Sequence, residues 1–442
     1  MLHLQTLYMN ALKCLTKKGD ISMEERLLDS WSASGEDISS FKKEVREISA
    51  STSTKLIRYR DLKVLSHFES SDPKILKFYM LDPNEIWENV SGRKVLREAK
   101  MSRAGFASRG ITKLLDEFEN TTKLLLQADG NIYFTSMNML STLGLRTDIA
   151  GNAMLEPSTE RDLLIAKRLD SDEELTAIIR NQGGVRKIYS TLSSKYPYVP
   201  QSLCADILDR VEAEGKLGTA VGYKWKVDNQ FAEIYVEFPD KATELMTIYG
   251  FDRAVIPGLF ICKSDVGESS IVVRSTWRVG NSVTLLDEFR RKHSGKIEVD
   301  EILEGIDEIV FSKYTLLPEK LCDLMLQTIT DPAWHSLSTS KFRSANKKAI
   351  EGVLKSIFKE IKLVDATTKA IEKELFEALC DEIDYDLDYT AYDICMMVMT
   401  LPERKISGMP AAYVTPLAKA CGKAPYCKYD KPVKKASIKL AV

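Results

Sequence analysis

The chain has 442 residues, with 62 basic and 64 acidic side chains, and hydrophobic residues make up 44% of it. That length calls for two or three domains, and that balance excludes both a disordered chain and a uniformly cationic nucleic-acid coat. No apolar run approaches the roughly 20 residues that span a bilayer. The eight cysteines are scattered and the four histidines lie far apart, which gives neither a disulfide framework nor a zinc ligand set and points to a reducing, cytoplasmic compartment.

In chain order, the opening "MLHLQTLYMNALKCLTKKGD" lacks the basic start of a secretory signal. Leu4, Leu7, Tyr8 and Leu12 instead have the spacing of an amphipathic helix. Residues 1–150 are expected to form a mostly helical N-terminal region. In it, "TKLLDEFENTTKLLLQ" sets Leu114, Leu115, Phe118 and Leu125 along one helical stripe.

Residues 151–300 are expected to hold an α+β core with two β-hairpins. It opens with a capping pattern at Ser158 or Thr159 ahead of Asp162. Gly183 and Gly184 are then expected to break the chain before a short helix, and Pro197 and Pro200 precede a helix over 201–214. From Gly222 the pattern changes to strand. Trp225 and Val227 alternate with Lys224 and Lys226; beyond a turn at Asp228-Asn229, Ala232, Ile234, Val236 and Phe238 alternate with Glu233, Tyr235 and Glu237. Lysine facing glutamate across this hairpin is a favourable pairing. The second hairpin turns at Asp265-Val266-Gly267, where Gly267 suits a positive φ. The segment after it, "SVTLLDEFRRKHSG", reads as a helix with Leu285, Leu286 and Phe289 as its apolar stripe.

Residues 301–405 read as a helical C-terminal region and 406–442 as a basic tail. The predicted fold is therefore α+β: a central antiparallel β-sheet with helical N-terminal and C-terminal regions.

Three segments resemble a known family. They are "GGVRKIYSTLSSKYPYVPQSLCADIL" (183–208), "DRAVIPGLFICKSDVGESSIVVRSTWRV" (252–279) and "EFRRKHSGK" (288–296). In order and spacing they resemble the DUF932 family of phage and plasmid proteins, over roughly residues 160–330. The chain departs from the family pattern at Arg278-Val279-Gly280-Asn281-Ser282, which lacks the cysteine usual there. The resemblance implies a mobile-element context and no particular activity.

No phosphate-binding GxxxxGK[ST], GxSxG, HExxH or dinucleotide fingerprint occurs. No cofactor is expected. Asp384, Asp386 and Asp388 have the spacing of a calcium-loop start, but Tyr389 stands where the loop needs glycine and Cys395 where it needs glutamate. A solvated acidic helix end accounts for them, and no catalytic or metal residue is assigned. His293, at the expected C-terminal turn of a helix, is accounted for by the helix dipole.

The chemistry that stands out is cationic. Arg274 and Arg278 share one strand face about 13 Å apart, close to the spacing of every second phosphate on a single strand. Arg290, Arg291, Lys292 and Lys296 follow, with Tyr223, Trp225, Tyr235 and Trp277 nearby. Cations interleaved with aromatic rings are what non-specific single-strand binding uses. Two hairpins followed by a helix are also similar in topology to the core of strand-annealing proteins. The function expected is non-catalytic nucleic-acid binding, as a homo-oligomer, in replication or recombination. The alternative is an assembly protein acting through protein–protein contacts, with Arg274 and Arg278 paired to Glu233 or Glu237. Further basic stretches, Arg93 to Arg109 and the lysines from Lys423 to Lys439, could extend a phosphate track or serve solubility alone.

Overall fold

The computed structural model describes residues 25–68, 72, 74–81, 98–102, 111–147, 157–169, 171–195, 198–215, 217–249, 255–267, 271–279, 282–291, 300, 304–305, 317–403 and 414–429. The fold is α+β, as expected, with a central antiparallel sheet. A second sheet accompanies it, and that one runs through the region expected to be helical.

The central sheet has six strands in the order β1-β10-β11-β12-β13-β14, all antiparallel. They are β1 (Ser32–Gly35), β10 (Val221–Asp228), β11 (Phe231–Glu237), β12 (Val255–Ser264), β13 (Ile271–Val279) and β14 (Ser282–Arg291). Its inner face carries Trp225, Val227, Ile234, Val236, Leu259, Ile261, Val273 and Trp277. Two helices pack on that face: α1 (Ile38–Ser51), through Phe41, Val45 and Ile48, and α5 (Leu203–Glu214), through Leu203, Ile207 and Leu208. The α1 residues recur three to four apart, which puts them on one side of the helix. Asp37 caps its start by accepting from the Ser40 amide at 2.7 Å.

The second sheet has eight strands in the order β2-β8-β9-β7-β6-β3-β4-β5. These are β2 (Thr52–Arg58), β3 (Lys63–Phe68), β4 (Ile75–Leu81), β5 (Glu98–Ser102), β6 (Leu124–Ala128), β7 (Asn131–Thr135), β8 (Glu174–Gln182) and β9 (Val185–Ser193). All neighbours run antiparallel except β7 and β9, which are parallel. Both faces are covered. Leu124 and Leu126 join one core, with residues of α3 (Met137–Thr147) and α4 (Thr159–Arg168); Leu125, between them, joins the other, with Leu114, Leu115 and Phe118 of α2 (Thr112–Asn120). A strand covered on both faces reads as a continuous apolar run instead of an alternating one. That is why this part of the chain reads as helix in sequence.

Three other expectations change for related reasons. Gly183 and Gly184, at φ 57° and 82°, form the turn between β8 and β9, so the segment after them is a strand. The boundary expected near residue 150 cuts through the eight-stranded sheet, because β8 and β9 complete a sheet begun by β2–β7. The segment after the second hairpin is β14, paired with β13 from Ser282 to Arg291, where a helix was expected. The backbone groups on that edge of β13 supply partners that outweigh the helical spacing of Leu285, Leu286 and Phe289. The likeness to strand-annealing topology therefore fails at its closing helix.

The C-terminal region is helical as expected. Beyond α6 (Pro239–Tyr249), which links β11 to β12, come α7 (Thr339–Glu360), α8 (Leu363–Ala366), α9 (Lys369–Glu382), α10 (Ala391–Met399) and α11 (Val414–Cys421). Helix α11 lies in the stretch expected to be an irregular tail and packs on β14. Gly422 is required there: a Cβ at this position would lie 1.9 Å from the Leu285 carbonyl oxygen. Helices α7 and α10 share one apolar core with the six-stranded sheet. The opening amphipathic segment and most of the basic stretch from Arg93 to Arg109 lie outside the described residues, as do the lysines from Lys431 onward.

Candidate nucleic-acid interface

The outer face of the six-stranded sheet is built from the residues that alternate with its core. Register sets them in cross-strand rows. Lys224, Tyr235, Phe260 and Arg274 lie opposite one another across β10, β11, β12 and β13, and the register sets position Glu288 of β14 opposite Arg274. Lys226, Glu233, Cys262 and Val272 form the next row. The expected lysine–glutamate facing is realised in Lys226 opposite Glu233. A bulge between Gly222 and Lys224 turns Tyr223 outward, away from the buried face of Trp225.

Within the first row the two rings pack with centroids 4.4 Å apart, and the Arg274 guanidinium lies 5.3 Å from the Phe260 ring centroid. Phe260 is almost fully covered, whereas Tyr235 and Arg274 are half-buried and Lys224 is exposed. Burial pushes the Tyr235 phenol and the Cys262 thiol up to about 12. Burial also raises the Glu233 carboxyl above its ordinary value, partly countered by Lys226, Lys224 and Arg274.

Arg278 is placed differently. Its Nε and one terminal nitrogen donate to the two carboxylate oxygens of Glu237, at 2.5 and 2.8 Å, and its guanidinium lies 5.3 Å from the Tyr223 ring. The hydrogen bonds to Glu237 raise its already high pKa. The pairing of Arg278 with Glu237 is the one the alternative reading anticipated. The face is therefore not a continuous cationic strip: Arg274 and Lys224 belong to the aromatic row, and Arg278 is held in a two-pronged ion pair.

Of the other expected contacts, Arg290 and Arg291 lie on β14, opposite Val272 and Ile271. They are strand positions and do not lie at the end of a helix. Lys292, His293 and Lys296 lie outside the described residues. Trp225 and Trp277 belong to the core. At the acidic segment, Asp386 accepts from Arg343 at 2.6 Å and Asp388 lies 3.2 Å from His335. Among the described residues no cluster of His, Cys, Asp or Glu is arranged to hold a metal ion.

Sequence reasoning missed a buried polar hub where the two sheets meet. Arg180, on β8, donates to Thr52 at 3.2 Å, to Asn229 at the tip of the first hairpin, and to Asp265 at the tip of the second at 3.2 Å. Its guanidinium lies 4.4 Å over Tyr189. Gln201 also donates to Asp265, at 3.4 Å. Nearby, Lys187 reaches Asp29, Glu117 and the Leu27 carbonyl, each at 2.8 Å. Lys263 is completely buried, its Nζ donating to the Ser264 carbonyl at 2.9 Å, and burial depresses its ammonium to about 8. The partners of Arg180 and Lys187 are far apart in sequence, and the signal that could have found these side chains is charge inside strands that otherwise read as buried.

No protein-family model, curated protein or solved structure matches this chain. Among the described residues no helix is long and apolar enough to cross a membrane.

Proposed function

We propose that this chain binds single-stranded nucleic acid without catalysing a reaction on it, as a cytoplasmic accessory protein of replication or recombination in a mobile element. The observation that carries the reading is the row Lys224–Tyr235–Phe260–Arg274, two cations flanking a pair of packed rings across four adjacent strands. At about 4.8 Å per strand the row is about 14 Å long. Its cations are placed for phosphates, while Tyr235 and the Arg274 guanidinium plane offer surfaces on which a base can stack. Of the six residues expected to make contacts, Arg274 is the one this row uses.

Fluorescence anisotropy of a labelled dT20 oligonucleotide against the full chain, between 50 and 200 mM salt, tests the reading. Binding at low salt that falls steeply as salt rises, and that weakens in a Lys224→Ala, Arg274→Ala variant, is the expected result. Absence of binding at low salt, or equal binding by that variant, overturns it.

The accompanying reading is self-association. β2 is the terminal strand of the eight-stranded sheet and carries Leu56, which is 61% exposed. An edge of this kind is a template for pairing with another copy. Sedimentation with and without dT20 separates association of the chain with itself from association with nucleic acid.

A further inference from the structure

Helix α7 is amphipathic over its 22 residues, with Phe342, Ala345, Ala349, Ile350, Val353, Leu354 and Ile357 turned into the core. Its solvent side is cationic: Lys341, Arg343, Lys347, Lys348, Lys355 and Lys359 are all exposed there. Glu351 is the one carboxylate among them along the length of that side, and Glu360 lies at the helix end. Glu351 is shared by Lys347 and Lys355, at 3.7 and 3.8 Å, and Arg343 is taken by Asp386. Lys341, Lys348 and Lys359 make no ion pair among the described residues.

Lys341, Lys348 and Lys355 recur every seven residues, which places them on one line at intervals of about 10 Å. That line leads to a cleft of about 310 Å³ between the end of α7 and the start of α9. Lys355, Lys369 and Lys373 rim the cleft with Glu372, and Phe358 and Phe376 form its floor. The rim cations are well exposed, Lys355 at 65% and Lys373 at 76%. Lys355 lies 5.0 Å from the Phe376 ring centroid, and Lys373 is 3.6 Å from Glu377.

We infer that the exposed ridge of α7, together with this cleft, is a second contact surface for the phosphodiester backbone of a nucleic acid. The inference rests on the proposed function and extends it from the sheet face to the helical region. Charge complementarity carries it: Lys341, Lys348 and Lys359, without ion pairs among the described residues, stand on the same side of the helix as Lys355, whose pairing with Glu351 is exposed, and together they suit a polyanion. The cleft has the volume of the smallest ligand sites, and its aromatic floor beneath lysines suits one nucleotide unit better than an extended cofactor. Ion pairs as exposed as Lys355–Glu351 and Lys373–Glu377 are weak enough for a phosphate to displace.

The test uses the full chain and dT20, with a Lys348→Gln, Lys359→Gln, Lys369→Gln variant. All three positions are exposed, so the fold is retained, which circular dichroism checks. Each lost phosphate contact on a single strand lowers the slope of log K against log salt by about 0.7. The variant is therefore expected to show a slope shallower by about 2. Wild-type binding that survives in this variant, with an unchanged slope but a loss in the Lys224→Ala, Arg274→Ala variant, overturns this inference and leaves the sheet-face reading standing. Absence of wild-type binding overturns both. Displacement of dT20 by polyglutamate at equal charge concentration assigns the ridge to acidic protein and also overturns it.

Discussion

Replacing Lys263 by methionine should make the protein more stable at neutral pH, although it removes a hydrogen bond. Burial holds the Lys263 ammonium at about 8 against an ordinary 10.5, so the folded state disfavours the charged form by about 3 kcal/mol. The bond from Nζ to the Ser264 carbonyl offsets about 1 kcal/mol in the substitution, leaving a gain of about 2 kcal/mol at pH 7. The sign of the pH dependence follows from the depressed value. Between about 8 and 10.5 the unfolded chain binds the proton and the folded one does not, so wild-type stability gains on the variant as pH rises through that window. Cys204 and Cys262, held near 12 by burial, remain thiols in the fold throughout it. Urea denaturation of both proteins at pH 7, 8 and 9 should show the gap narrowing by about 1 kcal/mol. Parallel stability curves, or a variant less stable than wild type at pH 7, would refute the reasoning.

Asp265→Ala should cost about 3–5 kcal/mol, because it strips the buried Arg180 of its carboxylate; chemical denaturation measures it. Arg278→Ala should weaken dT20 binding only slightly, since Glu237 already occupies the Arg278 guanidinium; a large loss would mean that the ion pair opens on binding. Gly422→Ala should lower Tm markedly, because its methyl group meets the Leu285 carbonyl. Adding Mg²⁺ or Ca²⁺ should leave Tm unchanged, with Asp386 and Asp388 engaged by Arg343 and His335; a rise that saturates with metal would contradict this.

The two hairpins were legible because each exposes one face: Lys226 and Glu233 alternate with Val227 and Ala232, and the turn at Gly267 needs the positive φ that it shows, 91°. The C-terminal helices were legible because their apolar residues recur at helical spacing along one side, as in α7. The eight-stranded sheet was hidden for the opposite reason. Leu124, Leu125 and Leu126 fill cores on both faces, so no alternation marks β6 as a strand. Strand β14 was hidden because its apolar spacing fits a helix as well, and only its pairing with β13 decides. At the candidate site the sequence pointed to Arg274 on an outward face but not to Phe260 beneath it, since that contact depends on register between strands. The cations of α7 were visible as letters, yet their shared orientation emerges only once the buried side of the helix is known.

Arg180 holds the ends of both hairpins through Asn229 and Asp265 while belonging to the other sheet. Neither half of the molecule can therefore come apart without stranding a charge in the half that remains. Calorimetry should record one endotherm, in which the two layers are lost together, and a fragment cut between them should not retain its shape alone.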